Sequence, residues 1–177
     1  IEYKEGASFI SRSNWQSQIE TNGRGWAYGM EFLLQRKLGR LSGWVGYTLA
    51  WSKRQFEELN NGEIYPYKFD RRQDLSVVLV YDISERVDIG ATWVYGSGNT
   101  ITMPVEFYRG PQVTSFFDAY YGGLVERYSD RNAYRMPAYH RLDVSLNFKK
   151  KTKWGSRVFN ISAYNAYNHQ NPFFLYV

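Results

Sequence analysis

Two stretches of the chain carry charge at the same spacing. Arg72-Gln73-Asp74-Leu75-Ser76-Val77 and Arg141-Leu142-Asp143-Val144-Ser145-Leu146 both read Arg-x-Asp-apolar-Ser-apolar. In an extended chain, alternate side chains share a face, so each string sets Arg, Asp and Ser on one side. Glu31 falls on the polar side of its own alternating stretch. Charges so placed pair across neighbouring strands. Glu31, Arg72, Asp74, Arg141 and Asp143 are therefore candidates to line a solute path or hold a packed segment. Common strand chemistry can also produce the repeat by chance.

A second group is aromatic. Tyr65-Pro66-Tyr67 and Phe116-Phe117-Asp118-Ala119-Tyr120-Tyr121 set rings beside polar groups in long connecting segments. Binding residues concentrate on loops carried by rigid scaffolds. Tyr65, Tyr67, Phe116, Phe117, Tyr120 and Tyr121 are candidate platforms for sugars, flat chelates or peptides. The same rings equally suit packing of loop against loop.

No catalytic constellation is expected, nor a metal or cofactor. His140 and His169 stand apart without metal-ligand spacing, and His140 falls on an apolar face. The chain has no cysteine, which removes disulfides and thiolate sites. Gly96-Ser97-Gly98 precedes no helical pattern, so it does not read as a phosphate loop. The sequon Asn160-Ile161-Ser162 lies inside a predicted strand. Carboxylates are plentiful, but none pair for acid–base work.

Six segments alternate with period two and predict strands: 26–35, 43–53, 71–81, 87–95, 139–148 and 157–164. A partial strand is expected before them. In the first, Trp26, Tyr28, Met30, Phe32 and Leu34 share one face against Ala27, Gly29, Glu31, Leu33 and Gln35. Short turns near 37–41, 82–85 and 149–155 alternate with long connections near 11–25, 57–70, 97–134 and from 168 onward. Outer-membrane barrels have such unlike rims. Alternation leaves open which face turns inward. Aromatics near strand ends on the apolar side, Trp26, Tyr28, Trp51, Tyr81, Trp93 and Phe148, suit two girdles. Charges on the other side suit a wet lumen. The expected fold is all-β: antiparallel transmembrane barrel strands, six and an N-terminal stub, forming a partial barrel.

Composition agrees. Aromatics make up 19% of 177 residues, which suits strands and membrane interfaces. Mean hydropathy is -0.54, and no apolar run spans a bilayer as a helix. The formal net charge is +5. Its densest cluster, Lys149-Lys150-Lys151-Thr152-Lys153, falls in a predicted turn, as a solvated tip or a contact for anionic head groups. Nucleic acid is the weakest partner, because no recognition motif accompanies the lysines.

Several strings, in this order and spacing, carry a family resemblance. They are Gly25-Trp26-Ala27-Tyr28-Gly29-Met30-Glu31-Phe32-Leu33-Leu34, Gly43-Trp44-Val45-Gly46-Tyr47-Thr48-Leu49-Ala50-Trp51-Ser52 and Phe69-Asp70-Arg71-Arg72-Gln73-Asp74. Met136-Pro137-Ala138-Tyr139-His140-Arg141-Leu142-Asp143, Tyr164-Asn165-Ala166-Tyr167-Asn168 and Asn171-Pro172-Phe173-Phe174 follow. Together they resemble the C-terminal barrel of TonB-dependent outer-membrane receptors of the Bacteroidetes type, across nearly the whole chain. The resemblance implies a 22-stranded barrel in the bacterial outer membrane, holding an N-terminal plug and importing a scarce nutrient with TonB-supplied energy. It implies outer-membrane lipid, the protein's own plug, the TonB complex and a surface lipoprotein as partners. Residues 1–177 then correspond to the C-terminal portion of that barrel, without plug or closing strand. A passive or structural outer-membrane barrel, or a soluble ligand-binding β-barrel, is the alternative.

Overall fold

A computed structural model describes residues 1–4, 15–109 and 124–172. It is all-β and antiparallel, with only two 3-10 turns, Trp15–Gln18 and Asn60–Gly62, among the described residues. No helix there is long and apolar enough to cross a membrane, which says nothing about strands.

Six long strands build the main sheet: β1 (Gly23–Arg36), β2 (Leu41–Phe56), β3 (Gln73–Ser84), β4 (Val87–Gly96), β5 (Tyr139–Thr152) and β6 (Gly155–Ala163). Each pairs with its sequence neighbour, giving an up-and-down meander. The strands run from 9 to 16 residues, enough to cross a bilayer at a tilt. β1, β2 and β4 contain the alternating segments of the sequence and add one to three residues at one or both ends, whereas β3 starts two residues later and β6 ends one residue earlier than the alternation predicts.

Two expectations need correction. The lysine cluster is not a turn. β5 continues through Thr152, and only Lys153 and Trp154 close the hairpin. Gly155, at φ 151°, accepts the backbone angle that this two-residue closure requires. The partial N-terminal strand, Glu2–Tyr3, pairs with Ile19–Glu20 and does not join the main sheet. The long connections also carry ladders of their own: Pro104–Arg109 with Leu124–Tyr128, and Thr100–Ile101 with Tyr134–Arg135.

The register sorts the side chains into two continuous faces. Met30, Leu49, Tyr47, Leu75 and Tyr95 follow one another across paired strands, as do Leu79, Ala91, Val144 and Ala163. The opposite face carries Gly29, Ala50, Ser76, Thr92, Asp143 and Ser162 in the same way. A single sheet with one apolar and one polar face would normally bury the apolar one against a second layer. Here the apolar face lies open: Phe32 is 59% exposed, Leu34 74% and Ile161 56%.

Among the described residues, the buried apolar core is Phe56, Leu59 and Tyr65, at the end of β2 and in the long connection that follows it, beyond the sheet and not under it. Neither outer edge, of β1 or of β6, has a strand partner among the described residues. The sheet is therefore an open wall and not a closed barrel.

Candidate functional site

The long-loop end of the sheet is organised around two buried carboxylates. Asp70 is 2% exposed. The Ser52 backbone N–H donates to it at 2.6 Å, Arg72 reaches it at 3.3 Å, and Arg135 forms both a charged pair with it and a bond to its backbone oxygen. Burial alone would raise this carboxyl. The Ser52 amide, Arg135 and Arg72 outweigh that and hold it below the usual aspartate range. Arg135 also donates to the Gly98 carbonyl at 2.7 Å. The Asp70 side chain thus joins β2, through Ser52, and its own connection to the connection that carries Arg135.

Glu2 is the second carboxylate. It accepts from Arg54 at 2.7 Å and pairs with Arg131 at 3.4 Å. Those two arginines also cover rings: Arg54 lies 3.6 Å from the Tyr67 centroid and Arg131 5.5 Å from that of Tyr65. Asn132 donates to the Pro66 carbonyl at 2.9 Å, and Thr100 to that of Tyr67 at 2.7 Å. The loops form a packed cap.

This cap decides the fate of the loop aromatics. Tyr65 is 1% exposed and packs with Phe56 and Leu59, so it joins loop to loop. Tyr67 is partly exposed and meets Phe69 edge to face at 5.4 Å. Phe116, Phe117, Tyr120 and Tyr121 lie outside the described residues. Phe69, which the sequence reading passed over, is 60% exposed. It walls a cleft of about 350 Å³ with Glu31, Thr48, Ser52, Asp70 and Arg71. Small residues, Ala27, Gly29 and Ala50, make the floor.

The charged candidates fall into three separate places. Glu31 lies opposite Thr48 on the polar face. Asp74 lies on the same face, but the arginine that reaches it is Arg71, at 3.2 Å. Arg72 precedes β3, and its guanidinium sits 5.1 Å from the ring of Trp51. The simple parity that placed Arg72 beside Asp74 fails here: Arg72 lies just before β3, and its side chain reaches back to Asp70. Arg141 and Asp143 do meet, at 2.9 Å, on the polar face of β5. Arg141 also donates to the Tyr139 hydroxyl at 3.0 Å and to that of Tyr164, and stacks 4.1 Å over the Tyr164 ring. The Asn165 N–H donates to Asp143 at 3.0 Å.

Nearer the short turns, an amide–carboxylate rung crosses three strands: Asn160 donates to Asn147, which donates to Asp88, each at 2.7 Å. Lys149 completes it at 2.6 Å from Asp88. The polar face also has an apolar patch. Trp44 and Leu33 lean over Gly46, where an added Cβ would meet the Trp44 ring at 3.3 Å. Val78, paired with Trp44, extends the patch.

The two histidines, far apart in sequence, are stacked at 3.6 Å between ring centroids. The Tyr167 hydroxyl joins them to β4, receiving the Trp93 indole N–H at 3.1 Å and meeting His140 Nδ1 at 2.8 Å. The turn that returns His169 to His140 rests on Asn165 and Asn168, both at positive φ. Asn tolerates that conformation. The run Tyr164-Asn165-Ala166-Tyr167-Asn168 was the available signal. No cluster of three or more metal-ligating side chains occurs among the described residues.

Compared with family models, with curated proteins and with solved structures, the chain matches none.

Proposed function

We propose that this chain forms part of the wall of a transmembrane β-barrel in the bacterial outer membrane, belonging to a TonB-dependent importer with a gating plug. The observation that carries the membrane part is the open apolar face. Six paired strands present a continuous apolar surface with no second layer under it among the described residues. Exposed apolar surfaces of that extent mark a lipid or protein contact. Polar groups that satisfy one another on the opposite face suit a lumen: the Asp88–Asn147–Asn160 rung and the Arg141–Asp143 pair. The Leu33–Trp44–Val78 patch among them favours a lumen partly filled by a packed segment over an open channel. The import reading rests on that patch and on the resemblance of the sequence strings.

The test uses the absence of native cysteine. Val77→Cys and Ser76→Cys place thiols on opposite faces of β3. In vesicles, a lipid-phase quencher should reach a label at 77, and a water-soluble maleimide should reach 76. The reverse pattern sinks the membrane reading. A soluble ligand-binding barrel instead predicts a folded monomer without detergent. Import is tested in the intact protein: a cross-link from Asp143→Cys to a plug domain should stop uptake, whereas a passive barrel offers no plug to trap.

A further inference from the structure

We propose that Lys150 and Arg157 form a binding site for the phosphate of an anionic phospholipid at the short-turn rim. The site rests on the reading of the apolar face as lipid-facing.

The register fixes the geometry. Phe148 pairs with Phe159, and Lys150 pairs with Arg157 one same-face rung further on. The two cations therefore continue the apolar face directly beyond its last aromatic pair, whose ring centroids are 6.3 Å apart. Directly opposed side chains in an antiparallel pair have Cβ atoms about 5 Å apart, and like charges so placed repel. Neither Lys150 nor Arg157 has an acidic partner among the described residues. Lys149, on the other face, shows the contrast: it reaches Asp88 at 2.6 Å and Asp82 at 3.9 Å.

The missing anion must come from outside the sheet. The neighbouring hairpin turns back at Glu85 and Arg86, opposite Phe148, while β5 and β6 stay paired as far as Thr152 and Gly155. The cations thus stand beyond the last β4 rung. From Lys149 to Arg157 the chain holds five basic residues and no acidic one. At the tip Trp154 is 97% exposed. Arg36 occupies the same face at the same rim of β1, following Leu34.

An anionic phospholipid matches both halves of this surface. Its phosphate oxygens accept from the ammonium and the guanidinium. Its acyl chains run along Phe148, Phe159, Leu146 and Ile161. A nucleic acid or an acidic peptide would satisfy the charges but leave the adjoining phenylalanines without an apolar partner.

The intact protein is reconstituted into vesicles of phosphatidylcholine with a minor fraction of phosphatidylglycerol, extracted gently, and its retained lipids are counted by native mass spectrometry. Wild type should retain phosphatidylglycerol about tenfold over its share of the vesicle. The K150Q/R157Q variant should lose that preference, and K150R/R157K should keep it. Both variants change exposed hairpin residues outside the polar networks. Equal retention by wild type and K150Q/R157Q overturns the site, as does retention without preference. Failure of the intact protein to enter these vesicles overturns the lipid-facing reading and the site with it; entry without preference overturns the site alone.

Discussion

Asp70 binds β2 to both long connections with a single carboxylate. Its partners are the Ser52 N–H, Arg72 and Arg135. In Asp70→Asn, two arginines lose their anion in a poorly hydrated place. The cap should be destabilised by about 1–3 kcal/mol, seen as faster amide exchange across 66–72 with the sheet intact. The pH dependence follows from the lowered carboxyl. A depressed folded-state value contributes stability above the unfolded-state value and loses it as pH falls through the folded one. The cap should thus hold through the neutral range and loosen only below about pH 4. Loosening that begins in the neutral range would mean that Asp70 does not hold the cap. None of the partners of Asp70 was legible in the sequence, because Arg135 lies in a different long connection and no local pattern joins them.

At the scale of elements, two glycines at positive φ serve in different ways, Gly43 within the β2 ladder and Gly155 at the closing turn of β5 and β6. Gly43 has φ 147°, and a Cβ there would lie 2.0 Å from the Val78 carbonyl oxygen. Gly155 has φ 151° but nothing within 4 Å of an added Cβ. Gly155→Ala should cost only backbone strain, about 1–3 kcal/mol. Gly43→Ala should cost clearly more, because the β2–β3 ladder must also open. Denaturant midpoints of the two variants in the same detergent make the comparison. Equal midpoints would mean that the ladder at Val78 yields without cost. The strands themselves were legible from alternation alone. The extension of β5 through the lysines was not, since charged residues on both faces carry no period-two signal.

Among the described residues, the main sheet is a wall with two open edges and two unlike faces. In vesicles, Val144→Arg, at the centre of the apolar face, should cost about 2–4 kcal/mol of folding free energy. Ser76→Arg, central on the polar face, should cost far less. If the polar-face arginine proves the more damaging, the faces are assigned the wrong way round. The unpaired edges of β1 and β6 predict that the chain self-associates in water unless detergent or further strands cover them. Sedimentation with and without detergent checks this.

The sequence by itself determined the all-β class, the meander of six strands and the face of each residue within the paired strands. These follow from period two and from short turns, both properties of neighbouring residues. The tertiary structure decided which side chains meet. It sent Tyr65 into a cap core, gave Asp74 Arg71 as its partner, stacked His140 on His169 and left Lys150 and Arg157 facing each other. Such contacts depend on strand register and on the path of long connections. Both are set by packing between residues distant in the chain, which no local pattern encodes.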